Sequence, residues 1–141
     1  MIYITKEDLI DIIQENLLDD SIQLNDNIID SIEEKAIAMA VSYISGRYQT
    51  NKIFDTNAPI RHPLLVQAIS MITVYRIVRR NAARKVPEDY RLIYDEALKI
   101  LENIQAGKQR LDTLPEISKI DNQGNPTNLM WGNATNRDNF I

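Results

Sequence analysis

The chain contains no cysteine, which excludes disulfides and thiolate metal sites and leaves no redox mark of a compartment. A reducing, intracellular setting is the expectation. Glycine occurs only four times and aromatic residues make up 6%, too little of either to suggest a β-sandwich. No apolar run approaches the length that spans a bilayer, and the opening MIYITKEDLIDII turns charged too soon for a secretory h-region, so neither a membrane span nor a signal peptide is expected. A Gly-rich phosphate loop and a G-x-S-x-G elbow are also missing. His62 is the only histidine, and no H-E-x-x-H, Cys ligand or acidic triad accompanies it. It reads as a helix-start residue beside Pro63. No enzyme, cofactor or metal is expected.

What is present suits a helical domain. With 141 residues, 44% of them apolar and 26% charged, the chain is long enough for one modest core. The net charge of −4 is unevenly placed. Residues 1–34 carry one base against ten acids, residues 35–111 carry thirteen bases against six acids, and residues 112–141 carry two against four. An acidic front joined to a basic middle gives two complementary faces and suits head-to-tail self-association.

Four helices can be read. Thr5 with Asp8 has the form of a capping box, Ile4 and Leu9 that of a hydrophobic staple, and the helix they open is expected to end near 16–18. A second helix runs from about 25–27 to Gly46, its later half AIAMAVSYI apolar nearly all round. Such a helix is central in its own fold or covered by a neighbouring subunit. Pro63 opens a third, apolar through Tyr75 and closed by Arg76, Arg79 and Arg80. The fourth starts at Pro87 and stops at Gly107, with Asp95 and Lys99 placed for an i,i+4 pair. Beyond Pro115 the helical period disappears. The fold class is therefore all-α: a compact four-helix domain over 1–115 and an extended C-terminal arm over 116–141.

Three groups of residues are candidates for contact. The acids of residues 7–34 fall on polar helix faces, which suits solvation or a basic partner better than acid–base chemistry in an apolar pocket. The stretch YRIVRRNAARKVPEDYR, with Arg76, Arg79, Arg80 and Arg84, could bind DNA phosphates or an acidic protein surface. Sequence-specific reading is not expected, because the third helix opens with PLLVQAI where a recognition helix carries polar side chains. Arg47 and Tyr48 follow Gly46; Tyr48 packs on the core or, with Arg47, meets a neighbouring subunit. In the arm, Met130, Trp131, Phe140 and Ile141 are apolar anchors in an otherwise polar tail.

The order of these signals resembles the head–tail connector (adaptor) proteins of tailed bacteriophages, including the Mu-like family classed as a domain of unknown function. The segments that carry the resemblance are YITKEDL, IEEKAIAMAVSYISGRY, PIRHPLLVQAISMITVYRIVRR and VPEDYRLIYDEALKILENIQAGKQRL followed by LP, together covering residues 2–115. The resemblance implies a helical protomer that assembles into a ring, twelvefold in the expected case, below the portal of the capsid. Such a ring joins head to tail and extends the channel through which genomic DNA passes without sequence-specific binding. It implies a portal protein and a downstream tail or stopper protein as partners, and the neck of the virion as the final location after synthesis in the host cytoplasm. A small helical DNA-binding or regulatory module using residues 76–91 is the alternative.

Overall fold

In the computed structural model, which describes residues 1–22, 25–81, 86–120 and 126–128, Thr5 opens α1 (Lys6–Ile10). The capping box is present: the Asp8 amide donates to Thr5 Oγ1, and the Thr5 amide donates to Asp8 Oδ2 at 2.7 Å. The expected single first helix is, however, two helices, α1 and α2 (Glu15–Ile22). The reason is phase. Leu9 and Leu18 are both fully buried, yet nine residues at roughly 100° each would set them on opposite faces of one straight helix. A turn over residues 11–14 rephases the chain, so that α2 buries Leu18, Ser21 and Ile22 while Leu17 is left exposed. Lys6 spans the break, with its Nζ 3.1 Å from Asp19 and 3.7 Å from Glu15. The hydrogen bond to Asp19 raises the Lys6 amine above its ordinary value.

Asn25 caps α3 (Asp26–Ile44), its side chain accepting from the Asn27 amide at 3.2 Å. The helix buries one stripe, Ile29, Ile32, Glu33, Ala36, Ala40 and Ile44, and Ala38 and Ser42 on its other side are exposed. The central helix is instead α5 (Pro63–Asn81), which is buried on several sides between Leu65 and Ile77. It packs against α1, α2, α3 and α6 (Glu88–Gln105). Tyr75 of α5 and Tyr94 of α6 stack with ring centroids 4.3 Å apart, and the Tyr94 hydroxyl donates to Met39 Sδ of α3 at 3.9 Å. At its end, α5 is tied to α2 by Asn81, whose side-chain amide donates to the Ser21 carbonyl.

Two helix ends differ from each other in kind. Gly107 follows α6 with φ 79°, and the amides of Gly107 and Lys108 donate back to the carbonyls of Ile104 and Asn103, a Schellman closure that needs the left-handed residue. Gly46 is not the stop expected of it: α3 ends at Ile44 with Ser45 as its right-handed cap, and a Cβ on Gly46 would touch nothing within 4 Å. Asp95 and Lys99 both lie exposed on α6 and form no ion pair among the described contacts. An exposed pair of this kind gains about 0.3–0.5 kcal/mol, little to set against ordering a lysine side chain.

The short α4 (Thr50–Ile53) lies between α3 and α5. Beside it the chain returns from α6: the Gln49 amide donates to the Pro115 carbonyl at 2.8 Å and the Ile117 amide to the Arg47 carbonyl at 3.0 Å, with Tyr48 and Glu116 forming an antiparallel bridge. The first residues of the arm are thus fastened to the helical domain. Beyond them, β1 (Ser118–Ile120) and β2 (Pro126–Asn128) pair antiparallel, Lys119 opposite Thr127. The protein remains predominantly helical.

Candidate interaction surface

The acidic first third is not uniformly a solvated face. Glu33 is 1% exposed and accepts three backbone hydrogen bonds, from Ile2 at 2.8 Å, Tyr3 at 2.8 Å and Ile4 at 2.9 Å. Its spacing with Ile29, Ala36 and Ala40 places it on the buried stripe, a signal present in the sequence. This carboxylate satisfies the amides of a segment that has no helix or sheet partner of its own. Tyr3 is thereby held in the core, edge-on to Phe54 with centroids 4.7 Å apart, its hydroxyl donating to the Ile60 carbonyl and accepting from the His62 amide, each at 3.0 Å. Burial pushes the Tyr3 phenol above its ordinary value, against smaller lowering influences of the His62 amide and Arg61. His62 acts at the start of α5, its Nδ1 accepting from the Leu64 amide at 3.2 Å.

Asp8 and Asp19 are half-buried and paired with Arg61 and Lys6, whereas other acids face outward. Asp26, Asp30 and Glu34 are exposed and stand at i, i+4 and i+8 in one row along α3. Within that row, Asp30 is held by the Met1 ammonium at 2.6 Å.

Across α3 from this row lies a basic groove. Arg76, Arg79 and Arg80 at the end of α5 come together with Lys35 of α3, which the sequence reading did not single out. Two adjoining cavities of about 280 and 340 Å³ share Ile32, Lys35 and Arg80. One is completed by Asn27, Ile28 and Ser31, the other by Arg76 and Arg79. The floor is apolar, the rim cationic, and no carboxylate is among these lining residues. None of the four cations takes part in an ion pair among the described residues. Arg76 Nε is buried without an acceptor, and a buried guanidinium donor left unpaired is costly.

Arg47 and Tyr48 are placed apart from this groove. Tyr48 is 1% exposed, with its hydroxyl accepting from the Leu111 amide at 2.9 Å, so its ring belongs to the core of the helical domain and is not a surface contact. Arg47 donates from Nε to the Gln105 carbonyl at 2.6 Å. A further cavity of about 450 Å³ lies between α1 and α5, lined in part by Asp8, Asp11, Arg61 and Gln67; Arg61 and Asp8 pair there at 2.6 Å. Arg84, Met130, Trp131, Phe140 and Ile141 lie outside the described residues. Among the described residues no group of three or more His, Cys, Asp or Glu side chains could hold a metal ion, and no helix is long and apolar enough to cross a membrane.

A family model described as "Bacteriophage Mu, Gp36" matches residues 3–127. No curated protein and no solved structure matches the chain.

Proposed function

The chain belongs to the bacteriophage Mu Gp36 family, and from that premise we propose that this phage protein is a structural component of the virion neck, a head–tail connector that works by assembly and not by catalysis. In this reading copies form a ring below the portal, join capsid to tail, and extend the channel for the genome. The observation that carries it is the cationic groove of Lys35, Arg76, Arg79 and Arg80, partnerless among the described ion pairs and set on the same rigid helices as an exposed acidic row. A protomer with two unlike, complementary faces is suited to a heterologous contact that closes into a ring. A weakly acidic total suits a channel wall that must let DNA slide.

Negative-stain images of the purified protein, alone and mixed with the portal of the same phage, are expected to show rings or portal-bound rings. A protein that stays monomeric and ignores the portal would remove the connector reading. The same groove also supports a second reading, since arginines over an apolar floor suit phosphates. Duplex binding that weakens steeply with salt would favour it; no measurable binding near about 50 mM salt would end it.

A further inference from the structure

The acidic row and the cations of the groove stand on different sides of α3, with Asn27 and Ser31 between them. On α3 the buried stripe faces the core; Asp26, Asp30 and Glu34 lie beyond one edge of that stripe, and Ile28 and Lys35 lie beyond the other, next to Ile32. Asp30 and Lys35 are five residues apart, roughly 140° around the helix. A protomer therefore cannot fold its own acidic row into its own groove, because both belong to the same rigid element. A second copy can bring its row there without any change of fold.

We propose that the groove of Lys35, Arg76, Arg79 and Arg80 receives the Asp26, Asp30 and Glu34 row of a second copy of this chain. The proposal rests on the reading of the protein as a ring-forming subunit and names the two faces that would meet. Three observations favour this occupant. The charges are complementary, four cations against three carboxylates, one of which is partly offset by the Met1 ammonium. The groove has no described carboxylate to neutralise it from within. Arg76, Arg79 and Arg80 line the groove without an ion-pair partner among the described residues, which an incoming carboxylate would supply; Arg gains most from such planar recognition. The apolar floor of Ile28 and Ile32 gives the contact a desolvated base, where charge pairs count for more than on an open surface.

Two charge-reversal variants test it. One carries Arg79→Glu and Arg80→Glu, the other Asp26→Lys and Glu34→Lys; all four side chains are exposed, and circular dichroism and thermal unfolding verify that each variant folds. Sedimentation velocity over a concentration series, with and without portal, is the readout. Each variant alone is expected to lose the wild-type oligomer. An equimolar mixture is expected to regain it, since each variant then offers the complement of the other's reversed face. Either variant assembling like wild type, or a mixture that stays monomeric, overturns the assignment of these faces, while wild-type rings in the same runs would leave the connector reading standing. A wild-type chain that neither self-associates nor docks on the portal sinks both. Duplex DNA binding that is lost in the arginine variant while its sedimentation stays wild-type would assign the groove to phosphates and overturn the proposal.

Discussion

Glu33 shows how much one side chain can organise. Its carboxylate takes the amides of residues 2–4, so replacing it removes the acceptor from two buried donors and one part-buried donor at once. Glu33→Ala is expected to lower unfolding free energy by about 3–5 kcal/mol in a urea titration. Glu33→Gln should cost less, because one oxygen remains to accept from Tyr3 and Ile4 while its amide group opposes the Ile2 donor. A loss below about 1 kcal/mol for the alanine variant would show that the segment is held by packing alone. Tyr3 adds a pH dependence whose sign follows from its raised phenol. A group whose folded-state value exceeds the unfolded one adds stability that is whole below the unfolded value, about pH 10 for tyrosine, and is lost as pH rises through the folded value. Wild-type protein should therefore weaken above that pH more steeply than Tyr3→Phe. At neutral pH the variant should itself be about 1–3 kcal/mol less stable, since the Ile60 carbonyl and the His62 amide lose their partner. Parallel pH–stability curves for the two proteins would remove Tyr3 from this account.

At the scale of elements, the glycines after α3 and α6 separate two kinds of helix end. Gly107 sits at φ 79°, where a Cβ costs about 1–2 kcal/mol, so Gly107→Ala should destabilise by that amount. Gly46 has open space around it and no left-handed backbone. Gly46→Ala should be neutral or stabilise by up to about 1 kcal/mol through the unfolded chain. Thermal unfolding of the pair checks the contrast, and equal losses would contradict it. The same two residues mark what the sequence could tell. Gly107, Pro63, Pro87, Asn25 and the Thr5 capping box were legible because each solves a local backbone problem within a few residues. The break between α1 and α2 was not, because Leu9, Ile10, Ile12, Ile13 and Leu17 satisfy a helical period locally, whereas the residues the fold buries are Leu9 and Leu18. Burying both Leu9 and Leu18 where α1 and α2 pack on α5 requires the turn between them. Glu33 was hidden for a related reason: its charge suggested the polar face while its spacing put it on the buried one.

At the scale of the whole molecule, charge segregation along the sequence became separation in space only in part. Glu33 left the acidic face for the core, Tyr48 took the core alternative and not the subunit contact, and Lys35 joined Arg76, Arg79 and Arg80 across two helices. A linear scan finds the arginine run on α5; it does not find the lysine on α3 that completes the groove, because their meeting depends on how α3 and α5 pack. The arm poses the opposite problem, since its start is bonded to residues 47–49 and its apolar residues are known from sequence alone. A chain truncated after Asp121 keeps the Gln49–Pro115 and Arg47–Ile117 bonds and loses β2, half of a two-stranded ladder that is marginal on its own. Its stability should therefore stay within about 1 kcal/mol of the full chain. If the proposed ring forms and Met130, Trp131, Phe140 and Ile141 anchor it to a partner, the truncated chain should fold and form rings yet fail to co-sediment with the portal, because interface energy concentrates in such residues. A truncated ring that docks as well as the full-length one would move the docking contact from the arm to the helical domain.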